Sequence, residues 1–292
     1  GRVGTTLAFH VADRGASGTD RTALRLCVTA PGGIPACRRA SLGPGQTSET
    51  IRIALPRPGR WTVAIGAASG RTVVRRIWAS HRGGRVALLA AGDSEMQILD
   101  GMIAQDLHGH GVGVTSDARI STGLTNSFFF NWQGEARREA ASVRPDVSVV
   151  FIGANDGFSV AGPGGRRVSC CGTAWSAGYA DLVAEMMGSL LRGNAGRVYW
   201  FLLPTPRPAN FQSLFDAVNR GIRLAARRFP GRVALIDANA FFTPGNRYRD
   251  HMVYRNRGFV IHESDGIHLS SASDAVAAQL LVRRLLADHV IR

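Results

Sequence analysis

The sequence predicts an α/β domain preceded by a smaller all-β domain. In residues 1–80, large apolar residues fall at every second position of short segments such as residues 51–55 and 61–65, which is typical of half-buried strands. From residue 85 onward, apolar runs of strand length alternate with segments of helical spacing, as in a parallel sheet covered by helices. We therefore predict a β-sandwich at residues 1–80, a linker at residues 81–84 and an α/β domain at residues 85–292.

The β domain is divided into strands by turns that carry Gly, Pro, Ser and Asp. The predicted strands are residues 6–11, 24–28, 51–55, 61–65 and 72–78. Short strands in regular succession with such turns favour a β-sandwich. None of its residues has catalytic spacing, so we expect a module that packs against the rest of the chain or contacts carbohydrate.

The α/β domain is expected to contain five parallel strands with helices between them. The predicted strands are residues 86–91, 113–120, 147–152, 197–203 and 233–236. The predicted helices run from the first strand to about residue 108, then over residues 134–143, 174–191 and 211–229, with a final helix after residue 270. Ser271 and Asp274 are expected to cap the final helix, and the segment before it, residues 238–266, is expected to be irregular.

The charge of the chain is strongly positive. The net charge is +14, and every one of the 35 basic residues is Arg. A nucleic-acid-binding protein gathers such charge on one helix or patch, whereas these arginines are spread along the chain, so no nucleic-acid partner is predicted. A positive protein still attracts acidic surfaces, such as anionic glycans or the cell wall. No apolar run approaches the ~18 residues of a membrane-spanning helix, so no integral membrane span is predicted.

The four cysteines favour an oxidising, extracytoplasmic location, either secreted, periplasmic or at the cell envelope. Cys27 and Cys37 flank a turn rich in Pro and Gly, as the ends of a small disulfide loop do. Cys170 and Cys171 are adjacent, and either a vicinal disulfide or two free thiols fits them. The spacing matches no zinc motif, so no metal is predicted. The start at Gly1, without Met or a signal peptide, is typical of a mature or trimmed form.

Polar residues stand where α/β folds place their chemistry, at the carboxyl ends of strands and before the last helix. Ser94 follows the first strand in Gly-Asp-Ser, and Asn155 follows the third strand. Asp265 and His268 lie before the last helix. A nucleophilic serine needs a base in hydrogen-bond reach, and that base needs an orienting carboxylate. Because Asp265 and His268 are three residues apart, a single turn can bring the carboxylate to the imidazole.

Donors for an oxyanion are also present in the pattern. The Ser94 N–H lies at a predicted helix start, Gly123 lets a second N–H approach because it has no side chain, and Asn155 offers a side-chain amide. Each residue alone also has a structural interpretation. Ser94 alone fits a helix cap, Asn155 a turn, and His268 a solvent-facing side chain. Their order and spacing together favour catalysis.

The polar stretches resemble the four motif blocks of the SGNH (GDSL-type) hydrolase superfamily, in the same order. The blocks are Gly92-Asp93-Ser94, Gly123, Gly153-x-Asn155-Asp156 and Asp265-x-x-His268. The stretches at residues 121–132 and 150–156 are most similar to the bacterial branch known as DUF459. The resemblance covers the part of the chain predicted to be α/β and leaves out the β domain.

This resemblance implies a flavodoxin-like three-layer α/β/α sandwich with a five-stranded parallel sheet. It implies that Ser94 is the nucleophile, His268 the base and Asp265 its orienter. Ester hydrolysis would then proceed through an acyl-Ser94 intermediate without a metal or an organic cofactor. Activity is expected to fall as the pH drops through about 6.5, where a free imidazole becomes protonated.

The resemblance also assigns the residues around the nucleophile. The oxyanion hole would consist of the Ser94 N–H, the Gly123 N–H and the Asn155 side chain. Asp93 and Asp156 would support the loops that carry these groups.

Two features depart from the family pattern. Glu95 stands where many members have Leu, and it either affects the preference for the leaving group or favours the helix N-terminus. The loop at residues 162–172, with Arg166, Arg167 and the adjacent cysteines, either forms a wall of the cleft or is a surface loop.

The substrate expected by resemblance is an acylated, chiefly acetylated, polysaccharide or glycan of the cell envelope or the extracellular space. Asn126 and Trp132, in the aromatic loop next to Gly123, are the predicted substrate contacts. Two other functions stay open. One is an O-acyltransferase that uses the same acyl-enzyme, and the other is a non-catalytic glycan-binding module. The sequence indicates no oligomeric state.

Overall fold

The chain consists of two compact units. The computed structural model describes residues 6–12, 22–30, 34–43, 48–55, 59–67, 72–79, 85–162, 165–193 and 195–291. Contacts between Cα atoms divide the chain into residues 1–85, here called the β unit, and residues 86–292, here called the α/β unit. The predicted linker at residues 81–84 lies outside the described residues.

The β unit contains two antiparallel sheets. Its strands are β1 (Thr6–Ala12), β2 (Thr22–Thr29), β3 (Pro35–Leu42), β4 (Ser48–Ala54), β5 (Gly59–Ala67) and β6 (Thr72–Ala79). β1 pairs with β4, and the other four form a sheet in the order β3-β2-β5-β6. Side chains of both sheets, including Leu26, Ile51 and Trp61, form one buried cluster. The two sheets therefore pack face to face around a common core, as a β-sandwich does.

The sequence did not predict β3. In this strand only Leu42 is buried, and the other residues are small, charged or exposed, so the alternation that marks a strand is hidden. The pairing of β3 with β2 sets Cys37 directly opposite Cys27, and these two residues form a disulfide. The predicted disulfide therefore joins neighbouring strands of one sheet.

The α/β unit alternates strands and helices. Its elements are β7 (Val86–Gly92), α1 (Leu99–Asp106), β8 (Val112–Ala118), α2 (Trp132–Ser142), β9 (Val147–Phe151), β10 (Val160–Ala161), β11 (Arg167–Val168), α3 (Thr173–Leu191), β12 (Arg197–Phe201), α4 (Ala209–Ala226), β13 (Val233–Ile236), α5 (Ala238–Phe242), β14 (His251–Tyr254), β15 (Arg257–Val260) and α6 (Ser271–Ala287). α1 packs on α6, while α2 packs on α3 and α3 on α4. The helices thus form two layers around the sheet.

The central sheet confirms the predicted fold. It has five parallel strands in the order β13-β12-β9-β7-β8. Every residue of β7, β9 and β12 is buried, because both faces of a central parallel strand are covered by helices. The chain runs outward from β7 to β8 on one side and from β9 to β12 and β13 on the other. The topological switch point therefore lies between β7 and β9, where folds of this kind bind their ligands.

Two local predictions need correction. The N-cap of α6 is Ser270, whose hydroxyl accepts from the Ser273 N–H, so Ser271 and Asp274 stand inside the helix. The segment predicted to be irregular, residues 238–266, contains α5 and the antiparallel hairpin of β14 and β15. These elements are short, with four or five residues each, so they carry little periodicity.

None of the helices in the described ranges combines the length and the apolar character that a bilayer-spanning segment requires.

Candidate active site

The turn that carries Ser94 follows β7 at the carboxyl edge of the sheet. Residues 94–98 form turns, and α1 begins only at Leu99, later than the sequence predicted, which placed Ser94 at the helix start. The N-cap of α1 is Ile98, so Ser94 does not cap this helix. Its hydroxyl is instead directed to a histidine that stands 174 residues away in the chain.

Ser94, His268 and Asp265 form a continuous chain of hydrogen bonds. The Ser94 Oγ lies 2.8 Å from the His268 Nε2, and the His268 Nδ1 lies 2.6 Å from the Asp265 Oδ2. Because a carboxylate can only accept, Nδ1 carries the imidazole proton and Nε2 accepts from the serine hydroxyl. The structure therefore brings together the three residues that the sequence predicted as a triad.

Asp265 is fixed as an ionised carboxylate. Its Oδ1 accepts from the N–H groups of Ile267 (2.8 Å) and His268 (3.1 Å). Partial burial raises the pKa of Asp265, but these bonds and the one to the imidazole outweigh it, so the pKa lies below its usual value. Asp265 thus keeps its negative charge, orients the ring of His268 and stabilises the imidazolium.

Asp93 fastens the loop after β7 to the loop after β9. Its Oδ2 accepts from the N–H groups of Gly153 (2.9 Å) and Ala154 (3.1 Å). Its Oδ1 accepts from the Glu95 N–H at 3.0 Å. Burial raises the pKa of Asp93 to about 6, although the amide hydrogen bonds oppose the shift. The position of Ser94 relative to the Asn155 loop is therefore set by the residue immediately before the serine.

Asp156 fastens the loop after β9 to the loop after β8. Its Oδ1 accepts from the N–H (2.7 Å) and the hydroxyl (2.8 Å) of Thr125. Its Oδ2 accepts from the Tyr179 hydroxyl of α3 at 2.7 Å. Burial raises the pKa of Asp156, and the hydrogen bonds from Tyr179 and Thr125 oppose the shift. Asp93 and Asp156 together hold three loops at the switch point, which is the supporting position predicted for them.

The Asn155 side-chain amide and the backbone at Gly123 belong to the two loops that lie beside the Ser94 loop. The Asn155 Nδ2 is buried and has no hydrogen-bond partner among the residues that the structure describes. A Cβ on Gly123 would lie 2.6 Å from the Asp156 Oδ1 and 3.3 Å from the backbone carbonyl carbon of Asn155. Only glycine therefore lets the loop after β8 approach the Asn155 loop so closely. Such donors can stabilise an oxyanion.

Asn126 and Trp132 do not face a substrate. Trp132 is completely buried, and its indole N–H donates to the Thr122 hydroxyl at 2.9 Å. Asn126 is also buried, and its amide donates to the Ser121 carbonyl at 3.2 Å. Both side chains shape the loop after β8 from inside, so their predicted role as substrate contacts needs correction.

Exposed aromatic rings lie on the loop after β8 and on the loop after β9. Phe128 is 79% exposed, Phe129 63% and Phe158 47%. The rings of Phe128 and Phe158 meet edge to face, with 5.2 Å between their centroids. We call these three residues the phenylalanine surface. Its residues lie on the same loops as Gly123 and Asn155, and their exposed rings are accessible to a ligand.

Glu95 is a buried acid next to the nucleophile. Neither of its carboxyl oxygens has a hydrogen-bond partner within the described part of the chain. Burial first, and then the negative charges of Asp93, Asp274 and Asp265, raise the pKa of Glu95 well above its usual value. This shift favours the neutral, protonated form of the Glu95 carboxyl. Its burial keeps it from contacting a leaving group, and α1 starts too late for it to act on that helix end.

Arg207, which was not predicted from the sequence, supports the loop that carries Asp265 and His268. Gly266 has φ +72°, and a Cβ there would lie 2.6 Å from the Cβ of Arg207. The Arg207 N–H donates to the Gly266 carbonyl at 2.7 Å, and its guanidinium donates to the Ser264 carbonyl. A signal was present, because Arg207 follows β12 at the carboxyl edge of the sheet, where the other site residues stand.

The loop at residues 162–172 packs within the α/β unit over its described residues, 162 and 165–172. Cys170 and Cys171 form a vicinal disulfide, and β10 and β11 pair before it. The Arg167 guanidinium donates to the Ser159 carbonyl at 2.8 Å, and the Trp175 indole donates to the Phe158 carbonyl at 2.9 Å. These contacts hold the hairpin beside Phe158, which favours its interpretation as a wall of the cleft.

One group of carboxylates among the described residues is close enough to share a cation. Oxygens of Asp117, Glu135 and Glu139 lie within 4.8 Å of one another. Arg119 pairs with Asp117 at 2.7 Å, and Arg138 pairs with Glu135. Burial raises the pKa of Glu139 to about 8, with the charge of Asp117 adding to the shift. Guanidinium groups and a bound proton thus already balance the charge of this cluster.

The family model described as "Protein of unknown function (DUF459)" matches residues 87–284. The chain therefore belongs to the DUF459 family, which confirms the branch that the motif blocks predicted. No curated protein matches the chain.

Several solved structures are similar at low identity. The catalytic domain of peptidoglycan O-acetyltransferase A from Streptococcus pneumoniae is 12% identical with a TM-score of 0.46, over 72% of this chain and 98% of that one. A family two carbohydrate esterase from Clostridium thermocellum is 12% identical with a TM-score of 0.41, over 98% and 93%. A lipolytic G-D-S-L family protein from Veillonella parvula is 12% identical with a TM-score of 0.44, over 68% and 96%.

Proposed function

We propose that this member of the DUF459 family is a serine esterase that removes acyl groups, chiefly acetyl, from a carbohydrate of the cell envelope or the extracellular space. The observation that carries the proposal is the hydrogen-bonded chain from Ser94 through His268 to Asp265. A serine in this setting becomes a nucleophile because the imidazole can take its proton as the new bond forms.

The first half of the reaction forms an acyl-enzyme. The Ser94 Oγ attacks the ester carbonyl while the His268 Nε2 accepts the hydroxyl proton. The carbonyl oxygen then carries a negative charge, which the Asn155 amide and the backbone N–H groups of Ser94 and Gly123 stabilise. When the intermediate collapses, His268 donates its proton to the leaving alcohol and the acyl group stays on Ser94.

The second half releases the acid. His268 takes a proton from water as the water oxygen attacks the acyl-Ser94 ester through the same stabilised oxyanion. When this intermediate collapses, the bond to the Ser94 Oγ breaks, His268 returns the proton to that oxygen, and the carboxylic acid is released. The side chain of His268 is 37% exposed and that of Asp265 42%, so solvent can reach the imidazole. This openness favours hydrolysis over transfer to a sugar hydroxyl, because transfer requires that water be kept from the acyl-enzyme.

The choice of a carbohydrate is supported by the phenylalanine surface. Exposed rings pack well against the apolar faces of sugar rings, and Phe128 and Phe158 stand on the two loops that carry the proposed oxyanion donors. An exposed cluster of this kind beside a reactive site is typical of a binding surface. Acetyl transfer to an added oligosaccharide, measured against free acetate, would separate the acyltransferase from the esterase.

An extracytoplasmic location is part of the proposal. The disulfides Cys27–Cys37 and Cys170–Cys171 support it, because disulfides persist in oxidising compartments and are rare in a reducing cytosol. Mass spectrometry of the protein isolated from its native cells, with and without reduction before alkylation, tests this point. Four alkylated cysteines without prior reduction would contradict it.

The function is tested by ester turnover and by labelling of the nucleophile. Ser94→Ala should lower the kcat for p-nitrophenyl acetate by about 10³-fold or more, since the acyl-enzyme can no longer form. Phenylmethylsulfonyl fluoride should add one sulfonyl group, and the modified peptide should contain Ser94. The matched control is Ser127→Ala, an exposed serine of the loop after β8, which should keep wild-type turnover and labelling. Wild-type turnover by Ser94→Ala would refute the proposal.

A further inference from the structure

The positive charge of the chain is concentrated in the β unit. Residues 1–85 hold 14 arginines and three acidic residues, a net charge of +11. Residues 86–292 hold 21 arginines and 18 acidic residues, a net charge of +3. The smaller unit therefore carries most of the excess charge. A preference for Arg over Lys throughout the chain does not account for this difference. Such a preference would not change the number of acidic residues, and the units differ mainly in that number.

Three of these arginines line one groove. In the pairing of β2 with β3, Arg25 stands directly opposite Arg39. Arg38 is the neighbour of Arg39 in β3, and all three side chains are exposed. Together with Ala23, Leu24 and Cys37 they border a groove with a volume of about 670 Å³. We call Arg25, Arg38 and Arg39 the arginine groove.

No carboxylate neutralises the arginine groove within the described residues. All ion pairs between described residues lie in the α/β unit. Like charges directly opposite each other on paired strands destabilise a sheet. Among the described residues nothing offsets this repulsion, and an anion bound by both guanidinium groups would relieve it.

We propose that the arginine groove binds an anionic polysaccharide through its carboxylates, so that the β unit holds the glycan on which the α/β unit acts. The guanidinium fork matches a carboxylate with two parallel hydrogen bonds. Uronate residues present one carboxylate per sugar, at intervals that several arginines can meet. The identification of this glycan with the esterase substrate rests on the proposed function, whereas the binding itself does not.

Nucleic acid is the competing polyanion, and the groove favours the glycan. Proteins that bind single strands combine positive charge with aromatic side chains on which bases stack, and the described residues that line the groove include no aromatic ring. Cys37, which lines the groove, is disulfide-bonded to Cys27. A disulfide beside the groove is typical of an oxidising compartment, which agrees with the extracytoplasmic glycan of the proposed function.

The test uses the full chain with Ser94→Ala, so that no turnover disturbs binding. Polygalacturonate is titrated by isothermal calorimetry at low salt, with dextran as the neutral polymer. Arg25→Gln/Arg39→Gln should weaken the binding of polygalacturonate about 10-fold or more, because two charge-assisted contacts are lost. The matched control Arg247→Gln/Arg257→Gln removes the same charge from exposed positions of the α/β unit and should change the affinity less than about 2-fold. Dextran should not bind.

Three outcomes would overturn the proposal. Equal weakening by the two double variants would mean that net charge alone attracts the polymer. Unchanged binding by Arg25→Gln/Arg39→Gln would exclude the groove. Tighter binding of single-stranded DNA than of polygalacturonate at equal salt would identify nucleic acid as the partner. Arg38→Gln/Arg39→Gln is the second variant, to be used if circular dichroism shows that the first does not fold.

Turnover separates this proposal from the proposed function. With Ser94 intact, Arg25→Gln/Arg39→Gln should hydrolyse p-nitrophenyl acetate at the wild-type rate, because this small ester does not need the groove. A protein without esterase activity that still loses polygalacturonate binding in this variant would contradict the proposed function and support the groove. An active esterase in which this variant leaves polygalacturonate binding unchanged would support the proposed function and contradict the role of the groove.

Discussion

The β unit carries a net charge of +11 and the α/β unit +3, although both are rich in arginine. In the α/β unit the arginines pair with acidic side chains, as Arg197 does with Asp288 at 3.3 Å and Arg223 with Asp237 at 3.0 Å. On the described strands of the β unit, exposed arginines such as Arg25 and Arg39 face each other instead. Within the described residues, the same residue type therefore forms ion pairs in one unit and an exposed positive surface without ion pairs in the other.

The two units also differ in how they hold their acidic residues. The α/β unit buries Asp93 and Asp156 and surrounds them with N–H and O–H donors, which fixes three loops before any substrate arrives. Groups fixed in advance cost little to reorganise when charge develops on the substrate. The β unit has no comparable cluster among its described residues. This difference supports the proposed assignment of the reaction to the α/β unit and of glycan binding to the β unit.

The largest expected effect tests the α/β unit. Asn155→Ala should lower the kcat for p-nitrophenyl acetate by about 10²–10³-fold with little change in KM, because the lost amide acts on the oxyanion and not on the ground state. Asn210→Ala, which removes an exposed amide at the start of α4, is the control and should leave kcat unchanged. Steady-state kinetics of both variants checks this. A kcat for Asn155→Ala within about 3-fold of wild type would exclude an oxyanion role.

The next effect tests the β unit. The Cys27–Cys37 disulfide closes a loop with a sequence separation of 10, so Cys27→Ser/Cys37→Ser should cost about 2–3 kcal/mol of the stability of this unit. Hydrogen exchange measured by mass spectrometry should show faster exchange in peptides of β2 and β3 and unchanged exchange in β9. Cys170→Ser/Cys171→Ser is the control and should leave β2 and β3 protected. Loss of protection in β9 of the first variant would mean that the two units unfold together.

The smallest effect concerns a buried acid of the α/β unit. Burial, and then the charges of Glu263 and Asp100, raise the pKa of Asp274 to about 8. The native state therefore keeps a proton that the unfolded chain loses near pH 4, so this residue makes stability fall as the pH rises from about 4 to about 8. Asp274→Asn should raise the Tm at pH 8 by about 2–5 °C and leave it unchanged at pH 4.

Thermal unfolding at the two pH values measures this difference, with the exposed Asp216→Asn as control. The same gain in Tm at pH 4 and pH 8 would show that Asp274 is ionised in the native state throughout this range.

Local patterns in the sequence determined the fold class and the identity of the reacting groups. Apolar runs marked the five strands of the parallel sheet, because strands covered on both faces need apolar residues throughout. The short spacing of Asp265 and His268 predicted their contact, since a single turn spans three residues. Turn residues at strand ends marked Ser94 and Asn155. These features depend on neighbours in the chain, and so they are readable without coordinates.

Tertiary structure decided what depends on distant neighbours. It buried Trp132 and Asn126, left Phe128 exposed, placed Arg207 against Gly266 and brought Arg25 opposite Arg39. None of these relations has a local signature, because exposure and pairing are set by which strands and loops meet, often more than 50 residues apart, as for Arg207 and Ser264. The sequence alone predicted which side chains can react. The packing of the folded chain determined which side chains are exposed to a ligand.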